Sequence, residues 1–123
     1  MIAFASRTGN IRYIVSRLRL PAVEIDAGTT VEEPYLLFTY TDGLGEVPEL
    51  IKRFLERNGA YCRGVIVSGN SNFGRRAFGG AGEKIATQWR IPLVRKVDMR
   101  GFPEDYEAIK TYYEHHFRKE LIG

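Results

Sequence analysis

The sequence predicts an α/β fold in which helices cover both faces of a doubly wound, five-stranded parallel sheet. One observation is that short apolar runs alternate with segments of helical periodicity along the whole chain. Another is that the chain has 123 residues, of which 44% are hydrophobic, enough for one ordinary core. We therefore expect a single domain over residues 1–123, and five such strands favour the order 2-1-3-4-5.

Five short segments have the composition of strands. Residues 2–5, 36–40 and 65–68 are nearly continuous apolar runs, typical of strands that are buried on both faces. Residues 22–25 and 93–97 mix polar and apolar side chains and are predicted as edge strands. Nine residues, 26–34, separate the second strand from the third, although a parallel crossover usually needs a dozen or more. Either a bare loop makes this crossover or the edge strand ends early.

Four segments carry apolar residues at helical spacing. The stripes run over residues 11–18, 47–54, 77–89 and 106–117, and Pro48 is well placed in the first turn of the second helix. The fourth helix opens with acidic residues and closes with basic ones, which suits the helix dipole. The prediction is therefore four helices between and after five strands.

Charge and cysteine content exclude several classes of protein. The 18 Lys and Arg outnumber the 15 Asp and Glu, for a net charge of +3, but no basic run or aromatic motif indicates a nucleic-acid surface. No apolar run approaches a membrane span and no leader precedes the first strand, so we expect a cytoplasmic protein. Cys62 is the single cysteine, which excludes an internal disulfide and a CxxC pair; we interpret it as an unreactive thiol near a helix end.

Three loops are expected to meet at one edge of the sheet. The sequences "SRTGN" (residues 6–10), "TDGLGE" (41–46) and "GNSNFGRRAFGG" (69–80) follow the first, third and fourth strands and are rich in small polar residues. Ligands of open parallel sheets bind beyond the carboxyl ends of the strands, near the switch in strand order. These loops therefore predict one ligand crevice.

The first loop has the character of a phosphate site. Ser6 and Thr8 offer hydroxyls, Gly9 allows close approach of the backbone, and Asn10 begins a helix whose free amides favour an anion. Because these donors are neutral, we expect Arg7 to point to solvent. The alternative is a cap that serves only the helix.

Other phosphate chemistries lack their residues. The chain contains no GxxxxGK[ST] and no GxGxxG after the first strand. The first loop has no cysteine nucleophile, and Asp42 alone does not make a phosphoacceptor pocket. The loop is therefore expected to bind a phosphate rather than to transfer one.

The second and third loops suit a flat, polar-edged ring such as an isoalloxazine. They supply aromatic side chains, amides and glycines, namely Tyr40, Gly43, Gly45, Asn70, Asn72, Phe73 and Phe78. Glycines in the second loop also permit a peptide to reorient. The alternatives are that the phenylalanines belong to the core and that the Asp-Gly pair is an ordinary turn.

The segments "SRTGN", "TYTDGLGEVPE", "GVIVSGNSNFG" and "FGGAGEKIATQWRIPLV" together resemble the NrdI family of flavodoxin-like flavoproteins. The resemblance covers nearly the whole chain. It implies FMN as the cofactor and the small subunit of a class Ib ribonucleotide reductase as the partner. It further implies that reduced flavin reacts with O2 and passes superoxide or a peroxide to the dimanganese or di-iron centre of that subunit, where a tyrosyl radical forms.

Transferred residue by residue, the resemblance places the phosphate on Ser6, Thr8, Gly9 and Asn10. It places the flavin ring between two sets of residues: Tyr40, Thr41, Gly43 and Gly45 on one side, and Gly69, Asn70, Asn72, Phe73, Gly74, Phe78 and Gly79 on the other. No catalytic side chain and no metal ligand is expected, because the cofactor carries the electron chemistry. Arg75 and Arg76 add charge beside the ring site, either for function or as ordinary surface residues.

Two alternatives remain open at this point. A general flavodoxin-type electron carrier would use the same fold, but such carriers tend to be acidic, whereas the pI here is about 9.1. A domain that keeps the fold and has lost flavin is disfavoured by the composition of the three loops. A monomer that receives electrons from a reductase or a redoxin is the simplest expectation.

Overall fold

The structure, a computed structural model, describes residues 1–74 and 78–122, without the side chains of Phe73 and residues 118–122. All five predicted strands and all four predicted helices are present in it. In chain order they are β1 (Ile2–Phe4), α1 (Asn10–Leu18), β2 (Ala22–Glu24), β3 (Tyr35–Tyr40), α2 (Glu49–Asn58), β4 (Cys62–Gly69), α3 (Gly80–Trp89), β5 (Leu93–Asp98) and α4 (Pro103–Ile122). Single 3-10 turns lie at Gly59–Tyr61 and Ser71–Phe73.

The sheet has the predicted order, β2-β1-β3-β4-β5, and every neighbouring pair is parallel. β1 therefore lies between β2 and β3. After β2 the chain crosses back over β1, and the later strands add on the other side of β1. The carboxyl ends of β1, β3 and β4 consequently lie side by side at one edge.

The core consists of two layers, one on each face of the sheet. Alternate strand residues point to opposite faces. Ile2 and Phe4 pack with α1 and α4, whereas Ala3 and Ala5 pack with α2 and α3. This double burial explains why the central strands read as continuous apolar runs.

The short crossover between β2 and β3 is a bare loop, residues 25–34, and β2 ends one residue earlier than predicted. The side chain of Asn58, which is 3% exposed, stabilises this loop. Its Oδ1 accepts from the amide of Val31 (3.0 Å) and its Nδ2 donates to the carbonyl of Thr29 (3.3 Å). One buried side-chain amide thus satisfies backbone groups that a crossover helix would otherwise pair internally.

Two details differ from the sequence interpretation. Cys62 follows a 3-10 turn at the end of α2, as expected, but is itself the first residue of β4, and burial raises the pKa of its thiol to about 11. The third helix begins at Gly80, not at Ala77, and Ala77 lies outside the described residues. In the part of the chain that is described, we find no helix long and apolar enough to cross a membrane.

Candidate functional site

A cleft of about 430 Å³ opens at the carboxyl edge of the sheet. Its lining residues are Ser6, Arg7, Thr8, Asn10, Ile11, Tyr40, Thr41, Gly43, Ser68, Gly69, Asn70 and Met99. Residues from all three of the predicted loops are among them, together with one from the turn after β5. The volume lies within the range of small-molecule sites.

The first loop leads into an open helix start. Gly9 has a φ of 93°, a left-handed conformation that favours glycine, and α1 begins immediately after it. The amide of Arg12 donates to the hydroxyl of Ser6 (3.3 Å), whereas those of Asn10 and Ile11 precede any intrahelical acceptor. The first turn of α1 contains no acidic side chain, so the positive end of the helix dipole remains for an anion.

Arg7 was predicted to point to solvent, but its side chain also contacts the second loop. Its Nη1 donates to Oδ1 of Asp42 at 2.6 Å, and its guanidinium lies 5.1 Å from the centre of the Tyr40 ring. This contact joins the first and second loops beside the cleft, although the two charged side chains remain 57% and 36% exposed. Asp42 therefore compensates the charge of Arg7.

The Tyr40 phenol is protonated at neutral pH. Burial, and to a smaller extent the charge of Asp42, raises the pKa of this group above its ordinary value. The side chain therefore presents a neutral aromatic ring and a hydroxyl to the cleft.

The second loop is a tight turn that is closed by a bridge between Asp42 and Glu46. Gly43 and Gly45 have φ values of 48° and 106°, and Leu44 between them is 81% exposed. Gly43 lines the cleft, whereas Gly45 is buried and is absent from the lining. Gly45 serves packing instead, since a Cβ on Gly80 of α3 would lie 2.8 Å from its Cα.

Thr41 carries an unpartnered hydroxyl. Its Oγ1 is buried and has no hydrogen-bond partner among the described residues. A buried polar atom without a partner is costly, and native structures rarely leave one unsatisfied. Because Thr41 lines the cleft, a bound ligand is the natural partner for this oxygen.

Among the described residues of the third loop, those that line the cleft lie at its beginning. Gly69 and Asn70 do so, and Oδ1 of Asn70 accepts from the amide of Asn72 (2.9 Å). Ser71 then donates from its amide and its hydroxyl to Asp98 of β5, at 3.2 and 2.6 Å. These bonds direct the loop towards the edge strand, so Asn72 and Gly74 are exposed and do not line the cleft.

The described residues at the end of the third loop, Phe78 and Gly79, pack against Lys96. Phe78 is half-buried with its ring centre 6.0 Å from Nζ of Lys96, and Gly79 is covered by the same lysine. Neither lines the cleft. The Phe73 side chain and the whole of Arg75 and Arg76, also named from the sequence, lie outside the described residues.

The turn after β5 contributes residues that the sequence analysis missed. Met99 lines the cleft, and Nε of Arg100 donates to Oδ1 of Asn10 at 3.4 Å. Ile11 and Ser68 also line the cleft and were missed. The helical pattern around Ile11 and the strand pattern around Ser68 identify both residues as core. The signal for the turn was available, since this segment follows the carboxyl end of a parallel strand like the other three loops.

A model of the family described as "NrdI Flavodoxin like" matches residues 2–111. The chain belongs to this NrdI flavodoxin-like family. Among solved structures, it is similar to the one titled "Structure of a Short-Chain Flavodoxin Associated with a Non-Canonical PDU Bacterial Microcompartment". The identity is 18% and the TM-score 0.67, over 96% of this chain and 95% of that chain, so this likeness shows a shared fold.

FMN is the cofactor of this family, and the cleft fits it. The open start of α1 suits the dianionic phosphate, and the buried Thr41 hydroxyl requires a polar partner that the described residues do not provide. Tyr40 and the glycine backbone beside it provide an aromatic face and room for a close approach. The NrdI-family chain therefore has the residues of a flavodoxin-type FMN protein.

Proposed function

We propose that this NrdI-family protein assists a class Ib ribonucleotide reductase. When bound and reduced, FMN supplies electrons to O2, and the resulting superoxide or peroxide is used to assemble the metal–tyrosyl radical cofactor of the small subunit. The metal centre, dimanganese or di-iron, belongs to that partner. The protein's own residues hold the cofactor and shape the cleft, which makes it a redox accessory rather than a stand-alone metabolic enzyme.

The observation that carries this proposal is the cleft itself. Three loops that are distant in sequence meet around a helix start that can bind an anion and a threonine hydroxyl that has no partner among the described residues. The match to the NrdI family extends over residues 2–111, and so includes all of these loops. A plain N-terminal cap for α1 would not require the second and third loops to contribute.

We assign the direct FMN contacts to those predicted residues that line the cleft. Ser6, Thr8 and Asn10, with the backbone at Gly9, would hold the phosphate. Tyr40, Thr41, Gly43, Gly69 and Asn70 would surround the ring. Of the remaining predicted residues, Gly45, Asn72, Gly74, Phe78 and Gly79 would support the loops from outside, and Phe73 is retained as a candidate ring contact.

The rim of the cleft suits transient docking. Leu44 is 81% exposed at the tip of the second loop, next to the cleft residue Gly43. The net charge of +3 favours encounter with an acidic surface. We propose a monomeric, single-domain protein that works in the cytoplasm with the class Ib ribonucleotide reductase. Its electrons would come from a separate donor, either an electron-transferring reductase or a redoxin.

The decisive experiment combines the reduced FMN-loaded protein, O2 and a manganese-loaded class Ib small subunit. We expect a tyrosyl radical, detected by electron paramagnetic resonance, that does not form when the protein or O2 is omitted. Protein stripped of flavin is the matched control and should form no radical. A protein that is colourless when purified and does not take up FMN would overturn the proposal.

The second candidate is a general electron carrier, which the likeness in fold to a short-chain flavodoxin favours. The same experiment separates the two functions. Absence of the radical, together with normal electron delivery to another redox enzyme, would decide for the carrier.

A further inference from the structure

We infer that Arg100 makes the cleft selective for a phosphorylated flavin over its unphosphorylated form. The inference rests on the placement of the phosphate at the first loop that is proposed above. It adds to that loop, which consists of neutral donors, a positively charged side chain from the opposite end of the sequence.

The position of Arg100 is set by two contacts with α1. Its Nε donates to Oδ1 of Asn10 at 3.4 Å, and its guanidinium lies 4.5 Å from the centre of the Tyr13 ring. Asn10 is the first residue of the helix and lines the cleft. The guanidinium is thus held beside the positive end of the helix dipole and next to the proposed phosphate site, although Arg100 itself does not line the cleft.

Arg100 differs from the other arginines near this helix start. Arg7 is paired with Asp42 at 2.6 Å, and Arg12 is paired with Glu24 at 2.7 Å. Among the side chains that the structure describes, Arg100 has no carboxylate partner. Its contact with Asn10 uses one of five N–H donors, so the planar fork that matches phosphate oxygens is still available.

The backbone under Arg100 is held firmly in an unfavourable conformation. Met99 has a φ of 54°, which is rare for a residue other than glycine and persists where its surroundings impose it. Its amide donates to the carbonyl of Gly69 and its carbonyl accepts from the hydroxyl of Ser68, both at 2.7 Å. The carbonyl of Arg100 accepts from the hydroxyl of Tyr106 at 2.6 Å. The side chain is therefore presented from a pre-organised turn, which lowers the entropy lost when it contacts a ligand.

The test compares the dissociation constants of FMN and riboflavin for the full chain, measured by quenching of flavin fluorescence. Arg100→Gln should weaken FMN about fivefold, the scale of an exposed charge pair, and leave riboflavin unchanged. The dependence of the FMN constant on salt concentration should also become shallower.

Arg17→Gln is the matched control, because Arg17 contacts the same Tyr13 ring (6.0 Å) and its loss changes the net charge equally. It lies near the other end of α1, so the ratio of the two constants should stay at the wild-type value. Arg100→Lys, which keeps the charge without the fork, should fall between wild type and Arg100→Gln. Tyr13→Leu, which removes only the ring contact, should lower the selectivity partly.

The inference is overturned if Arg100→Gln weakens both flavins equally or neither, or if Arg17→Gln has the same effect on the ratio. Wild-type protein that binds neither flavin would overturn both this inference and the FMN site. A selectivity that depends on Arg100 in a protein that generates no tyrosyl radical would support the inference while rejecting the proposed role with the reductase.

Discussion

The starts of α1 and α3 share the same local chemistry and have opposite surroundings. Each helix is preceded by a left-handed glycine, Gly9 with φ 93° and Gly79 with φ 67°, and neither glycine can provide a side-chain cap. A Cβ on Gly9 would meet nothing within 4 Å, whereas one on Gly79 would lie 2.7 Å from Cδ of Lys96. One helix start therefore opens onto the cleft and the other is covered by the protein.

The electrostatic difference between the two helix starts follows the same division. The first turn of α3 contains Glu83, which pairs with Lys96, while the first turn of α1 has no acidic residue. The protein thus supplies its own anion to the dipole of α3 and leaves that of α1 without one. The comparison teaches that a glycine before a helix becomes a ligand site only where its surroundings leave it open and uncompensated.

The largest effect is expected from supplying α1 with the acid that it lacks. Asn10→Asp should raise the FMN dissociation constant about a hundredfold, about 3 kcal/mol, because the new carboxylate repels the phosphate. The apo protein should be slightly more stable, by about 0.5 kcal/mol, because the acid suits the dipole. Flavin titration and urea denaturation measure the two effects.

Its counterpart on α3 is Glu83→Gln, which removes an acid from a helix start that is already covered. This change should leave the dissociation constant of FMN unchanged. If Asn10→Asp and Glu83→Gln weakened FMN equally, the two helix starts would not differ in the way described.

Removing one donor from the first loop should have the next largest effect. Thr8→Ala should weaken FMN by about 1.5 to 3 kcal/mol, the worth of a hydrogen bond to a charged group. Thr87→Ala, at an exposed threonine on α3, is the control and should leave affinity unchanged. Equal FMN constants for wild type and Thr8→Ala would remove Thr8 from the phosphate site.

Adding a methyl group at the covered helix start should damage the fold. Gly80→Ala places a Cβ 2.8 Å from the backbone at Gly45 and should cost about 2 kcal/mol of unfolding free energy. Gly9→Ala has open space and carries only the left-handed strain, about 1 kcal/mol. Urea denaturation of the apo proteins compares the two, and a larger loss for Gly9→Ala would reverse the assignment of open and covered starts.

The smallest effect is expected at Thr41, whose buried hydroxyl has no partner among the described residues. Thr41→Val removes a buried oxygen that has no described partner, so the apo protein should gain about 1 kcal/mol of stability while FMN binds less tightly. Thr39→Val is the matched control, since the Thr39 hydroxyl donates to the carbonyl of Tyr40 (2.9 Å) and its removal should destabilise the protein. Loss of stability in both variants would show that Thr41 has a partner within the protein.

The strands, the helices and the strand order could be predicted because hydrophobic periodicity is a local property. For the crossover at residues 25–34 the sequence offered a bare loop or an early strand end, and both occur, but the contacts of that loop with Asn58 of α2 could not be predicted. The lining of the cleft was predicted best where a loop leaves its strand directly, as at Thr8, Thr41 and Asn70. It was predicted worst further along the third loop, where bonds from Ser71 to Asp98 direct the chain away from the cleft.

The sequence by itself determined the order of the elements, the two-sided burial of the sheet and the loops that meet at its carboxyl edge. These features follow from the spacing of apolar residues and from the geometry of parallel strands. Only the tertiary structure decided which helix start stays open. It also decided that Arg100 lies beside Asn10, and that Gly80 packs against Gly45. Such contacts join residues far apart in the chain, and no local pattern encodes a distance that the packing of the whole domain determines.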